Sequence, residues 1–510
     1  MATLSALSDT VVLTGDSSAA LAEQASQTFF DSAPVVVIAA EGESLRGASA
    51  AAALGVPVLI DGPQVSSEID RLGSEVALVL GAVSDPGIDV VVPKDDNDLA
   101  ALVGASAADG SVAAGNHIGA LTALDADNPQ LLAADGPATV SSTSAAPVTA
   151  RLESDRDELP ATQRPEATSG VVVLSSGDDR DTAAVGTVLA SGAHVVIVPG
   201  GDPRSTSESV SAMAEMKPET AVGVGPEFID AETLKSRLQV ASTGAELPGG
   251  GQLVLPGKTY VALYGHPGST ALGVLGEQDA PATIKRAAAI ASEYDSLVDQ
   301  PVVPALEIIA TVASAQSGRD GNYSNEVAPE ALHELVDLAG KNGQYVVLDL
   351  QPGRTDFLTQ AKLYEELLVL PHVGLALDPE WRIKPNQVHL RQIGHVEVAE
   401  VNQVATWLAD LVKENNLPQK MLILHQFQIQ MLRDVNNVDQ SRSEIAVLIH
   451  VDGQGPQPTK QTTWRTLHNN ASTVQYWGWK NFYDEDIPGP LSPSDTITTV
   501  DPVPDFISYQ

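Results

Sequence analysis

No cysteine occurs in these 510 residues, which excludes disulfides, zinc–thiolate centres, iron–sulfur clusters and thiol nucleophiles. Basic residues are scarce: 28 Lys and Arg stand against 66 Asp and Glu, a formal charge of −38. Nucleic-acid binding draws most of its affinity from cations that neutralise phosphates, so nucleic acid and anionic lipid are excluded as partners. The charge itself reads as a solubility or lineage trait and points to no substrate. No apolar run approaches the ~20 residues of a membrane span, and Met1-Ala2-Thr3-Leu4-Ser5 lacks the basic and apolar regions of a secretory leader. Neither Gly-x-Gly-x-x-Gly nor a P-loop occurs at Gly15, Gly81 or Gly200-Gly201, so these glycines read as strand-to-helix turns rather than phosphate cradles. Aromatics make up only 4% of the chain, and all five tryptophans fall in its second half.

What is present is a 43% hydrophobic, 18% charged composition typical of globular domains, in a chain long enough for several cores. Residues 11–13, 35–39, 56–60, 76–80 and 88–92 are short apolar runs that read as buried parallel strands. Ala-rich stretches such as 19–30 and 44–54 read as crossover helices between them. The pattern is doubly wound α/β. Residues 141–169 lose the periodicity and collect Ser, Thr, Pro and charge, marking a linker or long loop. The same grammar then returns with strands at 171–174, 194–198 and 221–224. The expected organisation is one α/β unit over 1–140, the linker over 141–169, a second unit over 170–256 and a third domain over 257–510.

Apolar strands that run into small-residue loops recur in both blocks: VVVIAAEGES (35–44), GVPVLIDG (55–62), ALVLGAVSDP (77–86) and VVIVPGGDPRS (195–205). On these segments the first half resembles the type 2 cell-wall-binding repeat modules. That resemblance implies an extracellular or wall-associated protein whose partner is a cell-wall or extracellular polysaccharide.

From Tyr260 the texture changes to eight strand candidates: 260–264, 302–309, 345–350, 373–377, 421–424, 445–451, 474–479 and 506–509. Helical stretches at 329–339, 357–368, 398–412 and 460–468 separate several of them. Eight βα units in about 250 residues predict a (β/α)8-type barrel, here lacking its last helix because the eighth strand ends the sequence. The segments HPGS, LDLQPGRTDF, LDPEWR, HVDGQG and GWKNFYDED make this half similar to an uncharacterised lipoprotein-like family of actinobacterial surface proteins. That resemblance implies no activity.

Barrel enzymes place their chemistry at strand C-termini, and these strand ends are rich in catalytic residue types. They carry His266, Glu307, Asp349 with Gln351 and Arg354, Asp378 with Glu380 and Trp381, His425 with Gln426, His450 with Asp452, and Trp479, Lys480 and Tyr483. Alternation puts Asp349 with Gln351, Asp378 with Glu380 and His450 with Asp452 on common faces. A buried Glu307 needs a polar partner, for which Arg354 and Lys480 are the expected choices. His372, His389, His395 and His468 read as structural, and Asp484-Glu485-Asp486 as a solvated loop.

Two carboxyls with different protonation states cleave glycosidic bonds, and flat aromatics stack on sugar faces. The leading expectation is therefore a secreted, wall-associated protein with a glycoside-hydrolase-like barrel. Glu380 is its acid, and Asp378, Asp349, Glu307 or Asp452 the partner. His266, Gln351, Arg354, Trp381, His425, Gln426, His450, Trp479, Lys480 and Tyr483 are expected to bind substrate. The strand-four Asn-Glu pair of many barrel glycosidases is here Pro379-Glu380. A non-catalytic carbohydrate-binding scaffold is the alternative. A metal-dependent hydrolase on His266, His425, His450, Asp349 or Asp452 is the third reading. Neither His-x-His nor His-Glu-x-x-His occurs, so neither metal nor cofactor is expected.

Overall fold

The computed structural model describes residues 1–135, 152–165 and 170–510, which form two compact units, 1–244 and 245–510. Residues 141–151 and 166–169 of the expected linker lie outside the described residues. Its described part is held in place: Asp155 exchanges backbone and side-chain hydrogen bonds with Val90, and Leu159 packs on the first unit's core.

The first unit contains two four-stranded parallel sheets. One runs Val58–Ile60, Val35–Ala39, Val76–Leu80, Asp89–Val91; the other runs His194–Ile197, Val171–Ser175, Thr220–Val224, Val11–Leu13. The fourth place of the second sheet is thus taken by a strand from the start of the chain, where the expected units kept residues 11–13 with the first block. Runs of Val, Ile and Leu without alternation suit strands covered on both faces. Small residues suit the helices between them. A Cβ on Gly186, in helix Thr182–Ala190, would stand 2.5 Å from the Cα of Ala48 in helix Ser44–Leu54.

The second unit is a closed barrel of eight parallel strands: β1 (Thr259–His266), β2 (Val302–Ala313), β3 (Tyr345–Leu350), β4 (Val373–Leu377), β5 (Lys420–Gln426), β6 (Ile445–Val451), β7 (Tyr476–Asn481) and β8 (Phe506–Tyr509). β8 closes the ring by pairing with β1, Tyr260 opposite Phe506 and Leu263 opposite Tyr509. Side chains alternate between two cores. Tyr260, Ala262, Val303, Ala305, Tyr345, Val347, Ala376, Met421, Ile423 and Leu448 fill the interior, closed from below by Leu247, Val254 and Leu255. Val261, Leu263, Leu306, Ile308, Val346 and Leu348 face the surrounding helices. Between β5 and β6 the connection is made by short 3₁₀ turns at 429–431 and 435–437, without an α-helix.

Above the apolar interior the inward positions turn polar: Tyr264, Glu307, Asp349, His425, His450 and Ser508. β7 contributes Gly478 to this level because His450 leans across it; an added Cβ would lie 2.9 Å from His450 Cδ2. Gly478→Ala is expected to cost about 1–3 kcal/mol through overpacking, read as a lowered thermal midpoint. An unchanged midpoint would show that the ring has room to move.

Candidate active site

β4 ends at Leu377, and Asp378 then caps a one-turn 3₁₀ helix, Pro379–Trp381, by accepting from Glu380 N at 3.1 Å. The turn is clasped from behind by Gly394, whose N–H donates to Glu380 O at 2.7 Å and whose missing Cβ would fall 2.4 Å from that oxygen. The geometry aims Glu380 and Trp381 into a cavity of about 390 Å³ at the strand C-termini. Asp378, Asp452, Lys480, Gln351 and Tyr264 line it too, with apolar walls from Phe427, Phe482, Ile309 and Leu272.

His425 organises the buried layer next to this cavity. Its Nε2 lies 2.7 Å from Glu307 Oε1 and its Nδ1 2.9 Å from Asp452 Oδ2. An imidazole gripped by carboxylates at both nitrogens is charged. Burial alone would depress its pKa, but Glu307 and Asp452 together hold it well above the ordinary histidine value. Reciprocally, burial pushes Glu307 and Asp452 up, while the imidazoles that face them hold both carboxyls below the usual range. His450 Nδ1 stands 3.6 Å from Glu307 Oε2, and its Nε2 meets Ser508 Oγ at 3.0 Å.

The remaining carboxyls go the other way. Asp349, bonded by Tyr264 OH at 2.9 Å, is pushed up to about 6 by burial and then by Glu307, with His425 opposing. Burial raises Asp378 well above its ordinary value. Glu380 rises to about 7, first from burial and then from the charge on Asp452. Its carboxyl has no hydrogen-bonded or ion-paired partner among the described residues. Lys480 Nζ sits 3.3 Å from the centroid of the Tyr264 ring at the cavity wall.

The structure thus brings together Glu307, Asp349, Asp378, Glu380, Asp452, Gln351, Trp381, His425, His450 and Lys480. Others stand apart. Glu307 is hydrogen-bonded to His425 and faces His450 at 3.6 Å, and is not paired with Arg354 or Lys480; Arg354 donates to Gln387 O and covers the Tyr323 ring. Trp479 points outward, because β7 runs on to Asn481 and puts Gly478 and Lys480 inside; its ring packs on Trp464 at 5.6 Å. Tyr483 stacks on Tyr509 at the barrel's outer side. Gln426 donates to the carbonyls of Gln428 and Ile429. His266 bonds Ile309 O and does not line the cavity. Tyr264, Ser508 and Phe482 escaped the sequence-based selection. Tyr264 shares an inward face with His266 on β1, which was the available signal; Ser508 and Phe482 carried none.

Fold and site together define a (β/α)8-type barrel protein with a carboxylate-rich cavity at the strand C-termini. No protein-family model matches the chain, and no curated protein matches it. Among solved structures it is similar to Cwp6 from Clostridium difficile, with 14% identity and a TM-score of 0.33. The likeness covers 69% of this chain and 66% of that one, just under two thirds of its length. A superposition this loose carries no inference about fold or activity.

Proposed function

We propose that the barrel is a glycoside hydrolase acting on an envelope or extracellular polysaccharide, with Glu380 as proton donor and Asp452 as the ionised carboxylate. One observation carries this reading: two carboxyls from different strand ends line one cavity in opposite surroundings. Among the described residues the Glu380 carboxyl has no hydrogen-bonded or ion-paired partner, and burial raises its pKa to about 7, whereas Asp452 is bonded by His425. Neighbouring carboxyls pushed apart in this way are the acid and base assignments that glycosidic cleavage needs. Glu380 would protonate the leaving oxygen while Asp452 meets the charge developing at the anomeric carbon, as nucleophile or as base to water. Trp381 offers the sugar a flat face, and Lys480, Gln351 and Asp378 offer hydroxyl partners.

The first unit is assigned to attachment, on its resemblance to wall-binding modules, and each unit has cores of its own. Purified envelope is expected to sediment residues 1–244 and to leave 245–510 in solution. The full chain is expected to release reducing ends from an envelope glycan. Binding without release would favour the scaffold reading, and sedimentation of the barrel alone would overturn the division of labour.

A further inference from the structure

We propose that Glu307, His425 and His450 form a binding site for one divalent transition-metal ion of the zinc or manganese type, inside the barrel next to the cavity. Ligand atoms from the three residues all lie within 4.8 Å of one another, and all three side chains are fully buried. Two imidazoles with a carboxylate suit first-row transition metals better than magnesium or calcium, which prefer all-oxygen sets.

The arrangement around these atoms is that of a prepared site. Each inner group is tied at its far end. His425 Nδ1 is held by Asp452, His450 Nε2 by Ser508 Oγ, and Asp349 Oδ2 by Tyr264 OH. Partners of this kind orient metal-bound histidines and carboxylates. The near ends are the ones left over: Glu307 Oε2, His450 Nδ1 and Asp349 Oδ1 are buried with no hydrogen-bond partner. Glu307 Oε2 and His450 Nδ1 face each other at 3.6 Å, too long for a hydrogen bond. Metal bonds of about 2.0–2.2 Å at tetrahedral angles hold ligand atoms roughly 3.3–3.6 Å apart. Asp349 Oδ1 lies 3.9 Å from His425 Nε2, beside the three ligands and outside their set. The ion displaces the proton between His425 and Glu307, which leaves to solvent. The ligands come from separate strands, so the spacing that argued against a metal held no information about this site. The inference stands apart from the glycan reading and needs no activity to test it.

The test uses the full chain, stripped with chelator and titrated with zinc and with manganese by calorimetry and thermal melting. One ion per chain is expected. At a hundredfold excess over Kd the melting temperature should rise by roughly 5–10 °C. Cobalt in the same site should give the visible absorption bands of a tetrahedral nitrogen–oxygen set. Glu307→Gln and His450→Asn, each checked for folding by circular dichroism, should weaken binding at least tenfold. Asp484→Asn, on the exposed 483–485 loop, should leave it unchanged. Failure to saturate at one ion, absence of the cobalt bands, or one-site binding that both folded variants retain would overturn the proposal. In the first two cases the charged His425 alone occupies the gap.

Discussion

Glu380→Gln is expected to lower glycan turnover by roughly 10²–10⁴-fold without loss of the fold. The amide keeps the size of the carboxyl, and the turn that carries it is fixed by backbone atoms: Asp378 accepts from the residue's N–H, and Gly394 donates to its carbonyl. Only the proton is lost. The variant's stability has a definite sign. Burial raises the folded carboxyl from 4.5 to about 7, so ionising it destabilises the fold as pH climbs through that interval. Gln has no charge to bury. At pH 8 the variant should therefore be more stable than wild type, by on the order of 1–3 kcal/mol, and equal to it near pH 4. A variant that is both inactive and unfolded would show that Glu380 supports structure.

Asp486→Ala is expected to be the most damaging single change to stability. Asp486 is buried and accepts from Lys460 Nζ at 2.5 Å, from Phe482 N at 3.1 Å and from Gly455 N at 3.2 Å. Lys460 projects from helix Gln457–Asn470 into a pocket closed by the rings of Trp479 and Phe482, and burial already draws its pKa down to about 8. Removing the carboxylate strands the ammonium with one carbonyl, Lys480 O, as partner. Breaking a buried pair in this way costs about 3–5 kcal/mol, a fall in melting temperature of roughly 10 °C for a domain of this size. Lys460→Met added to Asp486→Leu should recover part of the loss, because no charge is left uncompensated while the Phe482 and Gly455 N–H groups still lack their acceptor. If the single variant melts like wild type, the pair is a surface contact.

The barrel was legible because its signal is local. β3, β4, β6 and β8 begin and end where the expected strands do, since a strand buried on both faces is mostly apolar, with Asp349, His450 and Ser508 the polar inward exceptions. Parity was less legible. β7 runs two residues beyond its expected end, and alternation along it turns Lys480 to the cavity and Trp479 to the helix layer. The partners of Glu307 were invisible for a different reason. His425 lies 118 residues further on and meets it only because the sheet closes. Burial likewise cannot be read from a charge run. In Asp484-Glu485-Asp486 the first two residues are solvated and the third is the buried partner of Lys460. In the first unit the individual strands were readable. The assignment of Val11–Leu13 to the far sheet was not, since a three-residue apolar strand fits either edge.

The pH dependence of reducing-end release, measured for wild type and Glu380→Gln on the same envelope glycan, tests the central claim most directly. A donor poised at about 7 must be protonated to act, so wild-type kcat/KM should fall tenfold per pH unit above that point. The same limb should be missing from the residual activity of the variant. A wild-type rate that stays level from pH 6 to pH 9, or a variant that keeps both the rate and the falling limb, would contradict the assignment of Glu380 as the acid.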